Sequence, residues 1–146
     1  MIFAVVALVL AALFAGAAFY ISLVEHPARL MLEDGPMLAQ WQPSYARALP
    51  IQAGLAVVGS LAGLASWYVL PGDWRSLAGS LVLLANWPFT LLVVMPVNKQ
   101  LQAMQPSQAS ATSRQLLLTW GKLHNVRSGL GVCAILLFAW ELSTTC

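Results

Sequence analysis

The sequence contains few charged residues, with seven Lys and Arg and five Asp and Glu among 146 positions. Charged residues make up 8% of the chain, against about 25% in soluble domains, while hydrophobic residues make up 60%. The net charge of +2 is too sparse to form the clustered basic stripe of a nucleic-acid surface. The composition therefore excludes a nucleic-acid partner and indicates one membrane domain, residues 1–146.

Cysteine is equally scarce, with Cys133 inside an apolar segment and Cys146 as the final residue. Thirteen helical residues would separate the two by roughly 20 Å, which is beyond the reach of a disulfide. The two histidines, His26 and His124, are not four residues apart, and no cysteine accompanies them. The sequence therefore offers few ligands for a metal ion or a haem.

Long apolar segments are what the chain has in abundance. Each is about 20 residues or longer, which is the length that crosses roughly 30 Å of hydrocarbon as a helix. The four segments are Ile2–Val24, Ile51–Leu70, Leu77–Val97 and Leu116–Leu142. They predict an all-α integral membrane protein, an antiparallel bundle of four transmembrane helices.

The three connections between these segments differ in length. The stretch Pro71–Arg75 predicts a tight turn, since a Pro-Gly pair is a strong turn signal. The connection His26–Pro50 contains the amphipathic piece Met37–Leu49, which we expect to lie at the membrane interface; an irregular loop is the alternative. The connection Asn98–Gln115 is expected to extend the third helix, break at Pro106 and restart near the serines that precede the fourth helix.

Both long connections lie on one side of the membrane, which we call the polar end. Basic residues are concentrated there, at Arg29, Arg47, Lys99, Arg114, Lys122 and Arg127. The opposite end has only Arg75, with Asp73 and Glu141 placed near water at helix ends. The positive-inside rule therefore predicts a multi-pass protein with its polar end in the cytoplasm and both termini outside.

The uncharged polar residues and both histidines also converge at the polar end. Trp120, His124 and Arg127 fall at i, i+4 and i+7, so they share one face of the fourth helix. An arginine within a membrane helix is costly and needs a partner. Glu25 is the one acid at the matching end of the first helix, so we predict a Glu25–Arg127 ion pair. Asn86, which precedes Pro88, is expected to satisfy carbonyls freed by a proline kink.

Four stretches of this chain resemble motifs of the anthrone oxygenase-like membrane proteins, a family long classed as a domain of unknown function. Pro88–Leu101 resembles its third-helix motif, and Trp120–Arg127 resembles its fourth-helix motif, a Trp followed seven residues later by Arg. Ser22–Ala28 resembles the end of its first helix, and Trp41 with Tyr45 resembles its first-loop aromatics. The resemblance covers nearly the whole chain in the same order.

This resemblance implies a monooxygenase that converts an anthrone to an anthraquinone with O2 and no dedicated cofactor. The CH2 group of an anthrone is acidic, so His124 is the expected base and Arg127 and Asn98 the expected stabilisers of the anion. Glu25 would orient Arg127 or His124. The substrate-binding residues would be Trp120, Trp41, His26, Tyr45 and Gln52, with the two tryptophans as stacking walls.

Two other functions fit the same residues. The cluster could bind a quinone-like molecule or a lipid without turnover, or it could hold a haem or transition metal through His26 and His124. The expected partners are an apolar small molecule, O2 and membrane lipid, and a homo-oligomer stays open.

Overall fold

The computed structural model describes residues 1–69 and 73–145, and within them the chain forms four long helices and no strand. The helices are α1 (Ile2–Leu30), α2 (Asp34–Val69), α3 (Trp74–Ala103) and α4 (Ala111–Thr145). All four are long and apolar enough to cross a membrane. The all-α class with four membrane-spanning helices is therefore confirmed, whereas Leu70 and the Pro71-Gly72 pair of the expected turn lie outside the described residues.

The helices extend further at the polar end than the apolar segments predict. α2 begins at Asp34, so the piece Met37–Leu49 is the first part of this helix and not a separate interfacial segment. Its apolar side chains, including those of Met37, Leu38 and Trp41, are buried in the core, which favours the continuous helix. α2 tolerates its internal prolines because neighbouring groups in a membrane bundle can satisfy the freed carbonyls.

The connection between α3 and α4 follows the sequence expectation. α3 continues to Ala103, and Pro106–Gln108 form a short 3-10 turn. The hydroxyl of Ser113 accepts a hydrogen bond from the Ser110 backbone N–H over 3.0 Å, and α4 begins at Ala111.

The four helices pack as a ring in chain order. Each of α2 and α4 packs against α1 and against α3, and the diagonal pairs make little contact. The core has two clusters. The cluster at the polar end contains Trp41, Tyr45 and Trp120, and the other contains small alanines around Phe14 and Phe138. Aromatic side chains are thus concentrated where the sequence places its polar residues.

Two of the helices contain a π-helical turn, Ile21–Glu25 in α1 and Thr90–Val94 in α3. Each turn ends two residues before a proline, Pro27 and Pro96 respectively. A proline clashes with the carbonyl four residues earlier, and a wider turn relieves that clash. Single π turns are often found at functional sites, and both of these lie in the half of the bundle that holds the polar residues.

Side chains from neighbouring helices cap the helix ends at the polar side. Arg114 of α4 donates to the carbonyls of Leu30 over 2.9 Å and Leu32 over 2.6 Å, and it pairs with Asp34. Gln42 of α2 donates to the carbonyl of Leu101 over 3.0 Å and caps α3. The terminal carbonyls of α1 and α3 therefore have partners, as helix ends require.

At the opposite end, Asp73 caps α3 and accepts a hydrogen bond from the Arg75 backbone N–H over 3.0 Å. Hydrogen bonds from the Arg75 side chain hold the pKa of this carboxyl below its usual value of 3.8. Glu141, expected near water, is instead buried with 1% exposure, and Ser66 donates to it over 2.8 Å. The expectation failed because α2 and α4 continue beyond this level and enclose the carboxylate.

Candidate functional site

Aromatic rings surround Trp120 inside the polar end of the bundle. His124 stacks on Trp120 with ring centroids 4.9 Å apart and an interplanar angle of 14°. Trp41 meets Trp120 edge-on at 5.8 Å and stacks on Tyr45 at 4.9 Å, while His26 lies 5.4 Å from Trp120. Because Trp120 and His124 are four residues apart on α4, they share a face as the sequence predicts. The structure therefore brings together all four aromatic and histidine positions expected around Trp120.

A glycine makes room for the first histidine. A Cβ atom at Gly121 would lie 2.3 Å from Nε2 of His26, so any larger residue there would displace the imidazole. His26 is 8% exposed and follows the π turn of α1 directly. The sequence predicts that His26 begins a loop. In the structure α1 continues to Leu30, and the imidazole ring packs inside the bundle.

Asn98 lies behind this aromatic group. Its Nδ2 donates to Oη of Tyr45 over 2.9 Å, and the residue is fully buried. Asn98 lines neither of the cavities described below. It contacts the site through Tyr45.

The expected Glu25–Arg127 ion pair is wrong. Glu25 pairs with Arg29 over 2.5 Å, and it also accepts hydrogen bonds from Ser44 and from Gln40. Arg29 lies four residues further along the same helix, where oppositely charged side chains meet. The prediction failed because α1 continues six residues past its apolar segment, to Leu30, which buries Arg29 and gives Glu25 a nearer partner.

Arg127 is buried without a carboxylate. It is 6% exposed, and its Nε has no hydrogen-bond partner among the described residues. No ion pair of the described ranges includes it. Its guanidinium carbon lies 5.7 Å from the ring centroid of Phe14, a cation–π contact. The half of the bundle that holds the polar residues therefore contains one buried cation that the described carboxylates do not neutralise.

Two neighbouring cavities meet at Arg127. The larger, of about 230 Å³, lies between α2 and α3. It is lined by Leu49, Gln52, Ala53, Ala56, Asn86, Trp87, Thr90, Leu91, Met95 and Arg127. The smaller, of about 20 Å³, has His124, Trp120, Trp41, Tyr45 and Arg29 among its walls. Leu49, Gln52 and Arg127 line both, so the aromatic group and the larger cavity share a wall.

Four polar atoms in the wall of the larger cavity are buried without a hydrogen-bond partner among the described residues. They are Nε2 of Gln52, Oδ1 of Asn86, Oγ1 of Thr90 and Nε of Arg127. Nδ2 of Asn86 donates to the Leu83 carbonyl over 3.0 Å near the expected kink, which leaves Oδ1 at the cavity. Buried polar groups in proteins are nearly always paired. Their convergence on one mainly apolar cavity is typical of a ligand site.

His124 lines the smaller cavity and is 2% exposed. Neither ring nitrogen makes a hydrogen bond of ordinary geometry within the described chain, although the Ala18 backbone lies beside the ring. The ring nitrogens therefore have hydrogen-bonding capacity left for a ligand. Among the described residues, no three His, Cys, Asp or Glu side chains form a group that could hold a metal ion.

The structure adds residues that the sequence analysis did not place in the site. Arg29 lies with its guanidinium carbon 6.0 Å from the Trp120 ring centroid. Thr90 and Trp87 line the larger cavity, as does Asn86, to which only a structural role was given. Spacing could have indicated two of them, since Thr90 follows Asn86 and Arg29 follows Glu25 by four residues.

Comparison with known proteins gives one family and one relative. The anthrone oxygenase family model matches residues 41–137, a range that includes every residue lining the larger cavity. A protein described as an anthrone oxygenase from Claviceps purpurea (strain 20.1) is 30% identical over 137 residues. That alignment covers 85% of this chain and 79% of the relative. No solved structure matches.

Proposed function

The chain belongs to the anthrone oxygenase family, and on this premise we propose that it oxidises an apolar, anthrone-like polycyclic substrate with O2 inside the membrane. The larger cavity is the proposed substrate site. Its volume of about 230 Å³ falls below the roughly 300–1,000 Å³ of most ligand pockets, which favours a small flat ligand. The span of α2 from Leu49 to Ala56 makes the cavity about 10 Å long.

The observation that carries the proposal is the buried charge of Arg127. An unpaired guanidinium in a membrane interior is unfavourable, and an anionic ligand in the cavity would neutralise it. Loss of a proton from an anthrone gives such an anion, with its negative charge largely on the ketone oxygen. Arg127 and the Gln52 amide would donate hydrogen bonds to that oxygen, as an oxyanion hole does.

The proposed reaction needs no reductant besides the substrate. A base removes one proton of the CH2 group, and the carbanion carbon forms a bond to O2, which becomes a peroxide and takes up a proton. Loss of the second C–H proton then breaks the O–O bond and releases water, leaving a quinone carbonyl. One anthrone and one O2 therefore give one quinone and one water, without a dedicated cofactor.

His124 is the proposed base for the first step. It lies on the same face of α4 as Arg127, and the smaller cavity that it lines shares the wall formed by Arg127 and Gln52 with the larger cavity. The imidazole stacks on Trp120, which holds the ring in place. In this proposal Asn98 and Glu25 are positioning residues, since one acts through Tyr45 and the other holds Arg29 beside Trp120.

The test uses purified protein in lipid nanodiscs with anthrone, under air and under argon, and measures formation of anthraquinone. Wild-type protein is expected to form the quinone under air only. Arg127→Met is expected to lower kcat/KM by about 10²–10³-fold, the usual effect of removing an oxyanion donor. Arg47→Met is the matched control, because Arg47 is an exposed arginine that lines neither the larger nor the smaller cavity.

Binding of anthraquinone without any oxidation of anthrone under air would favour the alternative of a non-enzymatic quinone binder. Equal loss of activity in both arginine variants would contradict the special role of Arg127. Full activity in His124→Ala would remove the base assignment while leaving the cavity as the substrate site.

A further inference from the structure

We propose that the substrate enters the larger cavity sideways from the hydrocarbon of the bilayer, through a mouth between α2 and α3 that Trp87 controls. This inference rests on the proposed function in taking the larger cavity as the substrate site. It adds a route and a residue that governs it.

The position of the mouth follows from the exposure of the cavity walls. Trp87 and Leu91 are 40% and 51% exposed, whereas Gln52, Asn86 and Arg127 at the inner wall are buried. Trp87 and Leu91 are four residues apart on α3 and share the face directed away from the bundle. The cavity therefore opens outward beside these two side chains.

The mouth lies at hydrocarbon depth. The exposed Lys99 marks the polar end of α3, and the half-exposed Trp74 marks its other end. Trp87 lies twelve residues from Lys99 and thirteen from Trp74, roughly 18 and 20 Å along the helix. Both distances place the indole inside a hydrocarbon layer of about 30 Å, far from either aqueous surface. A ligand at this mouth comes from lipid and not from water.

Trp87 connects the two helices across this opening. Its Nε1 donates to the Ala53 carbonyl of α2 over 3.3 Å. Lipid offers no replacement for this hydrogen bond, so the indole tends to keep it. A flat ligand that passes between α2 and α3 has to displace the indole and break the bond. Trp87 is therefore a barrier to movement in both directions.

The local backbone of α3 is suited to such a displacement. The helix is interrupted at Ala85, continues through one short turn and then forms the π turn Thr90–Val94. Pro88 donates no hydrogen bond within this stretch. The residues that flank the mouth thus belong to the least regular part of α3, whose hydrogen bonds resist movement less than those of a continuous helix.

The test measures the rates at which anthraquinone, delivered in phosphatidylcholine vesicles, binds and leaves the reconstituted protein, followed by quenching of tryptophan fluorescence. Trp87→Phe keeps most of the ring and removes the N–H group. It is expected to raise both the association and the dissociation rate about twofold to tenfold, the effect of one hydrogen bond, and to change Kd less than either rate. Leu91→Trp narrows the mouth and is expected to slow both rates at least fivefold.

Two variants serve as matched controls. Trp67→Phe alters another tryptophan of 40% exposure, and Leu92→Trp adds the same bulk at a neighbour that is 77% exposed and lines neither cavity. Both are expected to behave as wild type.

Wild-type rates in Trp87→Phe and Leu91→Trp, with anthraquinone bound at wild-type affinity, would overturn the route and leave the proposed function intact. A Kd that changes only because the dissociation rate changes would also overturn the route. Such a change indicates that the residue contacts the bound ligand and does not limit its passage. If wild-type protein neither binds anthraquinone nor oxidises anthrone, the proposed function fails and this inference with it.

Discussion

Arg127 combines two properties that seldom occur in one residue of a membrane protein. It is buried beside an apolar cavity, and no described carboxylate neutralises its charge. Its contact with Phe14 offsets only part of the cost, since a cation–π pair contributes about 0.5–2 kcal/mol. In the proposed function the ligand-free protein bears this cost, and an anionic ligand in the cavity removes it.

This view predicts that Arg127→Met stabilises the ligand-free protein while lowering kcat/KM as proposed above. Replacing buried charge by a residue of similar volume often gains on the order of 1–3 kcal/mol. For a chain of this size, that gain corresponds to a rise in Tm of about 2–10 °C. Thermal unfolding of the wild-type protein and the variant, both in one detergent, measures this change in Tm. A lower Tm in the variant would mean that Arg127 stabilises the fold and that its charge is compensated.

Sequence reasoning identified Arg127 correctly as a buried cation but assigned it the wrong acid. The pairing with Glu25 rests on its being the one acid at the matching helix end. It requires the first helix to stop near Val24 and Arg29 to lie in a loop. Once α1 continues through Arg29, the local i, i+4 partner is closer than any residue of α4. Local geometry decided the pairing, and apolar run length gave no information about it.

For the individual helices, the apolar segments predict lengths that are too short. The apolar segments predict where each helix crosses the hydrocarbon, and their described residues all lie on the four helices. The polar extensions, such as the start of α2 at Asp34, carry mixed sequence that resembles a loop. They are helical because they bury residues such as Trp41 against neighbouring helices, a tertiary effect that apolar run length does not record.

The two π turns explain why the sequence does not predict which side chains beyond them point into the bundle. A π turn adds one residue, so side chains that follow it are rotated relative to the regular helical pattern. His26 follows the turn in α1, and its inward position was not expected. The close approach of its ring to Gly121 gives this arrangement a direct test.

Gly121→Ala is expected to destabilise the protein by about 1–3 kcal/mol, because the new methyl group overlaps the His26 ring. Gly129→Ala on the same helix is the matched control, since a Cβ there meets nothing within 4 Å. Thermal unfolding compares the two variants. Adding His26→Ala to Gly121→Ala should recover part of the loss, and a purely additive double mutant would contradict the contact.

For the whole molecule, the distribution of basic residues predicts an orientation that coordinates alone do not give. The polar end is expected in the cytoplasm, with both termini outside. Single cysteines at Lys99 and Tyr68, after replacement of Cys133 and Cys146 by serine, report the two sides. A membrane-impermeant maleimide added to intact cells should label the cysteine at Tyr68 and not the one at Lys99. Labelling of the cysteine at Lys99 alone would mean that the protein has the opposite orientation.

Because the proposed mouth between α2 and α3 opens into the acyl chains, the substrate concentration that matters for this protein is the one in the membrane. The site would respond to the number of substrate molecules per lipid and not to the number per volume of buffer. Adding empty vesicles that fuse or exchange with the sample would then slow turnover at constant total substrate, by surface dilution alone. With the proposed function and route, turnover is expected to be fastest in a small, substrate-loaded compartment, where little membrane competes for the ligand.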